Sequence, residues 1–407
     1  MTTRREFLQT ASTILALSAS GIAGTVSAAE KPLTGLQLRS TVKSSGVLEI
    51  SLVPVKIPTP KKDEIVVRIE GTPINPSDML SLFGVADLST ARVSGTGKNT
   101  VLTADIPKNM MAFAANRLDK SLPVGLEGAG VVIDAGSSDA AQALLGRTVA
   151  MQAGAMFSQF RVVKAGDVMV MSRETTPQEA ASSFVNPLTT LCMLETMRME
   201  GHKAIVHTAA ASNLGQMLVK LCLEEKVPLV CIVRRQEQVD LLKGLGAEYV
   251  VDSSEPAYME DLTKAVSETG ATLGFDAVGG GMLADQILTA MERAAIQSGG
   301  NRTPYGTSVR KQVYIYGSLD RSNTVLTRNY GVNWDVGIWL MPMILQKIGT
   351  EAAQKLKEKV AAEIKTTFAS SYAKVVSFSE ALQPAEVSIY SKQHTGEKYL
   401  INPNKAL

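Results

Sequence analysis

Ala209, Ser212 and Gly215 stand three apart between a short β-branched stretch (Ala204, Ile205, Val206) and apolar residues at helical spacing, Leu214, Met217, Leu218, Leu221 and Cys222. Small side chains let the backbone of Ala211, Ser212, Asn213 and Leu214 approach a pyrophosphate. The first amides of the following helix supply unpaired donors at the positive end of its dipole. The dinucleotide fingerprint asks for glycine at three spaced positions. Only Gly215 is glycine here, so an ordinary strand-to-helix turn explains the same residues. The end of the next apolar run, Leu229 to Val233, says more. Arg234 and Arg235 follow it, where an acidic side chain would hold the ribose hydroxyls of NAD. Guanidinium groups take a phosphate monoester through charge-assisted, often bidentate bonds. The pair predicts NADP(H) over NAD, against a plainer reading as solvated surface.

The elements that must position these groups follow from the hydrophobic periods. An all-apolar run such as Leu229–Val233 belongs to a strand covered on both faces, so the stretch from Lys203 to Asp252 reads as a βαβ unit. Helical pattern over Ala257–Thr269, a strand from Gly274 to Val278 ending in three glycines, helix from Met282 to Ala295 and strand from Gln312 to Tyr316 continue the alternation. Such alternation predicts an α/β, doubly wound parallel sheet. Upstream, Leu48–Val55, Glu64–Glu70, Gly146–Met151 and Phe157–Val163 read as short strands with Gly and Pro punctuation, a partly closed β-domain. Two prolines in Gly71–Asp78 hold Asn75 in a rigid turn, with Ser77 the expected cap of the next helix. Residues 86–122 loosen into Gly, Ser, Thr and Lys and predict a long surface insertion or lid. Thr176 is a candidate cap before Pro177, and Asn186-Pro187 is expected to interrupt that helical region before a helix at Leu191–Met199. An amphipathic helix spans Glu351–Ile364, and Lys398–Ile401 is expected to return as a final strand to the β-domain. The division is residues 33–185, 186–345 and 346–407, after a leader of residues 1–28.

The 407 residues carry a formal net charge of +2 and three cysteines without CxxC spacing, which argues against nucleic acid as a partner and against a disulfide framework. The leader has Arg4-Arg5 before Phe7-Leu8, an apolar stretch from Ile14 to Val26, and Val26-Ser27-Ala28 as a cleavage pattern. It predicts twin-arginine export to the periplasm, with a cytoplasmic location if the leader is not used. Beyond it no apolar run reaches about 20 residues, so no membrane anchor is expected.

The ordered pieces INPSD, GLEGAG, NPLTT, AAASNLGQ, VVD, FDAVGG, YIYGS and GEKYL resemble the zinc-independent branch of the medium-chain dehydrogenase/reductase family, 2-enoyl thioester reductases first and quinone oxidoreductases next. The resemblance implies a GroES-like catalytic β-domain packed on a Rossmann domain, an active site between them, and a homodimer. It implies Asn186, Thr189, Ala211, Ser212, Asn213, Leu214 and Gly215 as cofactor contacts, with Arg234, Arg235 and Gln236 on the 2′-phosphate. Tyr316, Gly317, Ser318 and Leu319 would present backbone near the nicotinamide, Ile338, Trp339 and Leu340 would wall the cleft, and Lys398 would reach back from the tail. For Trp339 a plain core or dimer role competes, and Lys398 could equally be solvated. Asn75 and Asn186 are the candidates to orient a small-molecule carbonyl. Leu126 stands before Glu127 where zinc-dependent relatives have histidine, and Ser77 stands in place of a ligand cysteine, so no metal is expected. The enoyl reductases' proton-donating tyrosine has no counterpart in Ser81–Ala86, which weighs against enoyl thioesters, favours quinones over them and leaves the proton to solvent; the expected acceptor is a quinone or an activated C=C. An NADP(H)-binding protein with little turnover, and a nucleic-acid-binding relative, are the alternative expectations.

Overall fold

The computed structural model describes residues 32–300 and 302–406, so the predicted leader lies outside the described residues. The first half of the chain is a β-domain built on two sheets. One runs antiparallel through Thr34–Lys43 and Val47–Lys56 and continues into Val101–Asp105 and Asp87–Ser94. The other is centred on Glu64–Pro73, which pairs antiparallel with both Gly128–Ala135 and Phe160–Lys164. The strand Thr34–Lys43 lies upstream of the first expected strand.

The insertion is not a loose lid. Leu102 and Ala104 alternate inward on Val101–Asp105, and with Ile106 and Ala114 they are buried, so the segment extends the sheet and fills its core. Short polar-flanked strands of this kind give a weak sequence signal, because Val101–Asp105 buries only two side chains and Asp87–Ser94 none. Arg117, at the end of the 3₁₀ segment Lys108–Arg117, anchors it by donating to Leu80 O (2.8 Å), Ser81 O (2.8 Å) and Ser40 Oγ (2.9 Å).

The second half is a six-stranded, all-parallel sheet. Its strand order is Tyr249–Asp252, Leu229–Val233, Ile205–His207, Leu273–Asp276, Lys311–Ile315, Trp334–Ile338. This is the doubly wound order, reversing between Ile205–His207 and Leu273–Asp276, and it matches the expected α/β class. Leu229–Val233 is buried at every position, as a strand with helices on both faces must be. The helix Asn213–Glu224 turns Met217, Leu218, Leu221 and Cys222 inward, each large apolar side chain contributing about 1.5–3 kcal/mol. Cys192, Cys222 and Cys231 are free and buried.

Two boundaries differ from expectation. The helix leading into the sheet runs unbroken over Val185–Met199, because Pro187 falls in its first turn, where its missing N–H is not needed. The tail rejoins the β-domain at Lys374–Val376, not at residue 346. That strand pairs with Tyr399–Ile401, which in turn pairs with Glu64–Pro73. The helix Thr350–Glu363 instead packs near Val185–Met199, with Val360, Ile364 and Phe368 in the same core as Leu188 and Leu191. Among the described residues no helix is long and apolar enough to cross a membrane.

Candidate functional site

A parallel sheet sends every carboxyl end to one edge, so the turn after His207, the arginines after Val233, the glycines after Asp276 and the segment after Ile315 are gathered there by topology alone. Asp276 pins the switch point. Its Oδ1 accepts from Thr208 Oγ1 (2.7 Å) and the amide of Val278 (2.8 Å), and its Oδ2 accepts from the amide of Gly279 (3.1 Å).

The small-residue turn has the shape its spacing suggested. Ala209 sits at φ +50°, the left-handed conformation for which the fingerprint uses glycine. Ser212 caps Asn213–Glu224, its Oγ accepting from the amide of Gly215 at 3.1 Å. A Cβ on Gly215 would come within 2.1 Å of Ala210 O, so only glycine permits this approach of helix to strand. Ala211 is buried, while Ser212, Asn213 and Leu214 are half-buried. Arg234 and Arg235 are exposed, and among the described residues neither guanidinium has a partner, the Arg234 amide alone donating to Gln238 Oε1 at 3.0 Å. Gln236 is tied instead to its own helix, donating to Asp240 Oδ1 at 2.7 Å.

Gly317 lies so close to Ala277 O that a Cβ would meet it at 2.3 Å, and Ser318 and Leu319 beyond it are exposed. The Tyr316 hydroxyl is 2.8 Å from His207 Nε2, and burial pushes that phenol up and the His207 imidazole down to about 3. Trp339 does not wall a cleft. It is 4 % exposed, stacks edge-on against Phe275 and Tyr316, and donates from Nε1 to Thr196 Oγ1 at 3.0 Å. Its flanking residues Ile338 (72 %) and Leu340 (51 %) are exposed at the end of the outermost strand.

The two candidate asparagines are brought together through Glu127, which the sequence reading left without a role. Asn75 donates from Nδ2 to Glu127 Oε1 at 2.8 Å, and Glu127 Oε2 accepts the amides of Phe184 (2.8 Å) and Val185 (2.9 Å), beside Asn186. Asn75, Asn186 and Glu127 are all buried. Asn75, not the exposed Ser77, opens the turn, and its own amide donates to Asp78 Oδ2 at 2.9 Å. Thr189 is spent on its own helix, donating to Val185 O. Lys398 adds an ammonium whose nitrogen is buried, facing Asp78 and Glu127 and lying 5.9 Å from the Tyr372 ring centroid. Burial raises Asp78 to about 7 and Glu127 above the usual carboxylate range, and lowers Lys398 to about 8. A glutamate in the turn Gly125-Leu126-Glu127-Gly128, at the entry of a strand of small and apolar residues, was the available signal for this group.

Among the described residues no three His, Cys, Asp or Glu side chains gather as a metal site. A hollow of about 330 Å³ lined by Glu260, Lys264 and Arg293 contains none of the candidate residues.

The β-domain closed by the chain's tail and joined to a doubly wound parallel sheet is the two-domain architecture of the medium-chain dehydrogenases/reductases. No protein-family model matches the chain. It is 30% identical to mouse prostaglandin reductase-3 over 207 residues, 48% of this chain and 54% of that protein, so it spans about half the length of this curated relative. Among solved structures, a complex of Etr1p with NADP and crotonyl-CoA superposes with a TM-score of 0.62 at 17% identity, covering 91% of this chain and 100% of the other. A quinone oxidoreductase of Pseudomonas syringae gives 0.60 at 14%, covering 91% and 100%. Over these stretches the chain is similar to prostaglandin, enoyl and quinone reductases, the kinds of protein its motifs resemble.

Proposed function

We propose that the protein is an NADPH-dependent oxidoreductase that transfers hydride to a quinone or an activated C=C. The observation that carries this is the unpaired Arg234–Arg235 couple at the carboxyl edge beside the Ser212-capped turn, a fit for a phosphorylated adenosine. The names of the relatives agree with it. The bound cofactor supplies the hydride, and the protein's part is to bind, orient and exclude water. Ser212 and the amides after it hold the pyrophosphate, and the arginines hold the 2′-phosphate. Asn75 and Asn186, kept in place through Glu127, orient the acceptor's carbonyl. Titration of the purified chain with NADPH and NADH by fluorescence, followed by loss of NADPH absorbance with quinones and with α,β-unsaturated carbonyls, tests the proposal. Equal affinity for the two cofactors, or no turnover with any acceptor, overturns it.

A homodimer formed through the outermost strand fits this reading. Trp334–Ile338 is paired on one side only, and exposed Ile338, Leu340 and Met343 follow along it. Sedimentation of wild type and of Ile338→Lys tests it, a monomeric wild type being the contrary result. Export through the twin-arginine leader is part of the same proposal, tested by fractionating cells that express the chain with Arg4-Arg5 intact or replaced by lysines.

A further inference from the structure

Three buried polar atoms without a hydrogen-bond partner lie on the proline turn and on the tail residue beside it: Asn75 Oδ1, Asp78 Oδ1 and Lys398 Nζ. Backbone pairing holds them together. Ile74 donates to Tyr399 O at 3.0 Å, which sets Lys398 beside Asn75, and Asn75 in turn donates to Asp78. Both Glu127 oxygens already have partners, Oε1 in Asn75 and Oε2 in two backbone amides. Among the described residues no carboxylate lies within ion-pair distance of the ammonium, although Asp78 and Glu127 both face it. Buried polar groups are almost always paired, so a donor and two acceptors left open together mark a place for a group that can both accept and donate.

The niche also adjoins the nucleotide turn. Asn213, first residue of the phosphate-facing helix, donates to Ser370 Oγ at 3.1 Å. Three residues on, Ala373 donates its amide to Lys398 O at 2.8 Å, and the intervening Tyr372 places its ring beneath the ammonium. One short segment therefore touches both the turn and the lysine. A carbonyl oxygen accepts from an ammonium, and the hydroxyl it becomes on reduction can donate to Asp78 Oδ1 or Asn75 Oδ1.

We propose that Lys398 is the proton donor of the reduction, filling the role for which Ser81–Ala86 offers no tyrosine. This rests on the reductase reading. In the step, a quinone gains a hydride and one proton. An Nζ–H bond of Lys398 breaks and an O–H bond forms on the substrate, giving the hydroquinone. The neutral amine left behind is reprotonated from solvent. The titratable groups facing it are Asp78, Glu127 and Tyr372. Burial pulls the ammonium down to about 8, which eases proton release near neutral pH.

The test uses the full chain with Lys398→Met and Lys398→Arg, arginine keeping the charge but releasing no proton near neutral pH. Turnover of wild type is expected to fall as pH rises through about 8. Both variants are expected to lose about 10²–10⁴-fold in kcat, and that descending limb, with NADPH binding nearly unchanged. An NMR titration of the lysine ammonium groups in wild type, without cofactor, is expected to show Lys398 near 8. Should Lys398→Met not fold, Lys398→Arg and the NMR titration decide. A Lys398→Arg protein with wild-type kcat, or a Lys398 titrating in the ordinary lysine range, overturns the proton-donor role alone. A wild type that turns over no acceptor removes the reductase reading and this role with it.

Discussion

Asn75 Nδ2 donates to Glu127 Oε1 across 2.8 Å, and through Glu127 the proline turn of the β-domain is joined to the first amides of the helix that opens the nucleotide domain. Three segments distant in sequence thus share one carboxylate. Asn75→Ala leaves Glu127 Oε1 buried without a donor, and the expected cost is about 1–3 kcal/mol in urea unfolding. Asn75→Asp is expected to cost more at neutral pH, since it sets a second carboxylate against the first. An Asn75→Ala protein with an unchanged midpoint would show that the joint contributes nothing.

The phosphate assignment is separable from folding, because Arg234 and Arg235 are exposed and unpaired. A charge-assisted bond is worth about 1.5–3 kcal/mol, so each Arg→Ala change is expected to weaken NADPH by roughly 10–100-fold. NADH affinity and thermal stability are expected to stay put. Fluorescence titration of both cofactors reads this directly, and a parallel loss for NADH would place the arginines elsewhere in function.

Ala209 holds a left-handed backbone at φ +50°. Glycine relieves that strain of about 1–2 kcal/mol at some cost in chain entropy, so Ala209→Gly is expected to stabilise by about 0.5–1 kcal/mol. Ser212→Ala, which removes the cap on Gly215 N, is expected to destabilise by about 1 kcal/mol. Paired denaturation curves check both signs.

Arg117 ties the inserted segment to the helix after the proline turn through two carbonyl oxygens, and to the strand Thr34–Lys43 through Ser40 Oγ. Arg117→Ala is expected to lower stability by about 2–3 kcal/mol and to open residues 86–122 to proteolysis before the rest of the chain. Mass spectrometry of limited digests locates the first cuts. First cuts outside that segment would mean the guanidinium is not its anchor.

The buried charges predict a pH dependence of stability. Asp78 is raised from 3.8 to about 7, chiefly by burial, so the folded chain keeps a proton that the unfolded chain releases. Its contribution is full below pH 3.8 and is lost as pH rises through about 7. Lys398, lowered from 10.5 to about 8, acts in the other direction, its contribution returning as pH rises from about 8 to 10.5. Stability from this niche is therefore lowest between about 7 and 8. Asp78→Asn is expected to flatten the acidic side of that curve, raising the urea midpoint at pH 7.5 more than at pH 5.

The nucleotide half was legible in the amino acids because its signals are local. A strand covered on both faces is apolar throughout, a helix on a sheet repeats every three or four residues, and a cap or an arginine pair lies within a few positions of what it serves. Leu229–Val233, Ser212 and Arg234–Arg235 could all be read that way. Trp339 could not, because a tryptophan in a core and one lining a cleft look alike in a chain. Nor could the strands hidden in residues 86–122, since among the described residues Asp87–Ser94 pairs only with Val101–Asp105, which is itself held to the sheet by Val47–Lys56 outside the segment. Only tertiary structure decided that Asp78, Glu127 and Lys398 share a niche. No period or spacing links a proline turn, a glycine turn and the last strand. Sheet pairing of Tyr399–Ile401 with Glu64–Pro73 makes them neighbours, and burial then turns ordinary charges into groups that titrate near neutrality.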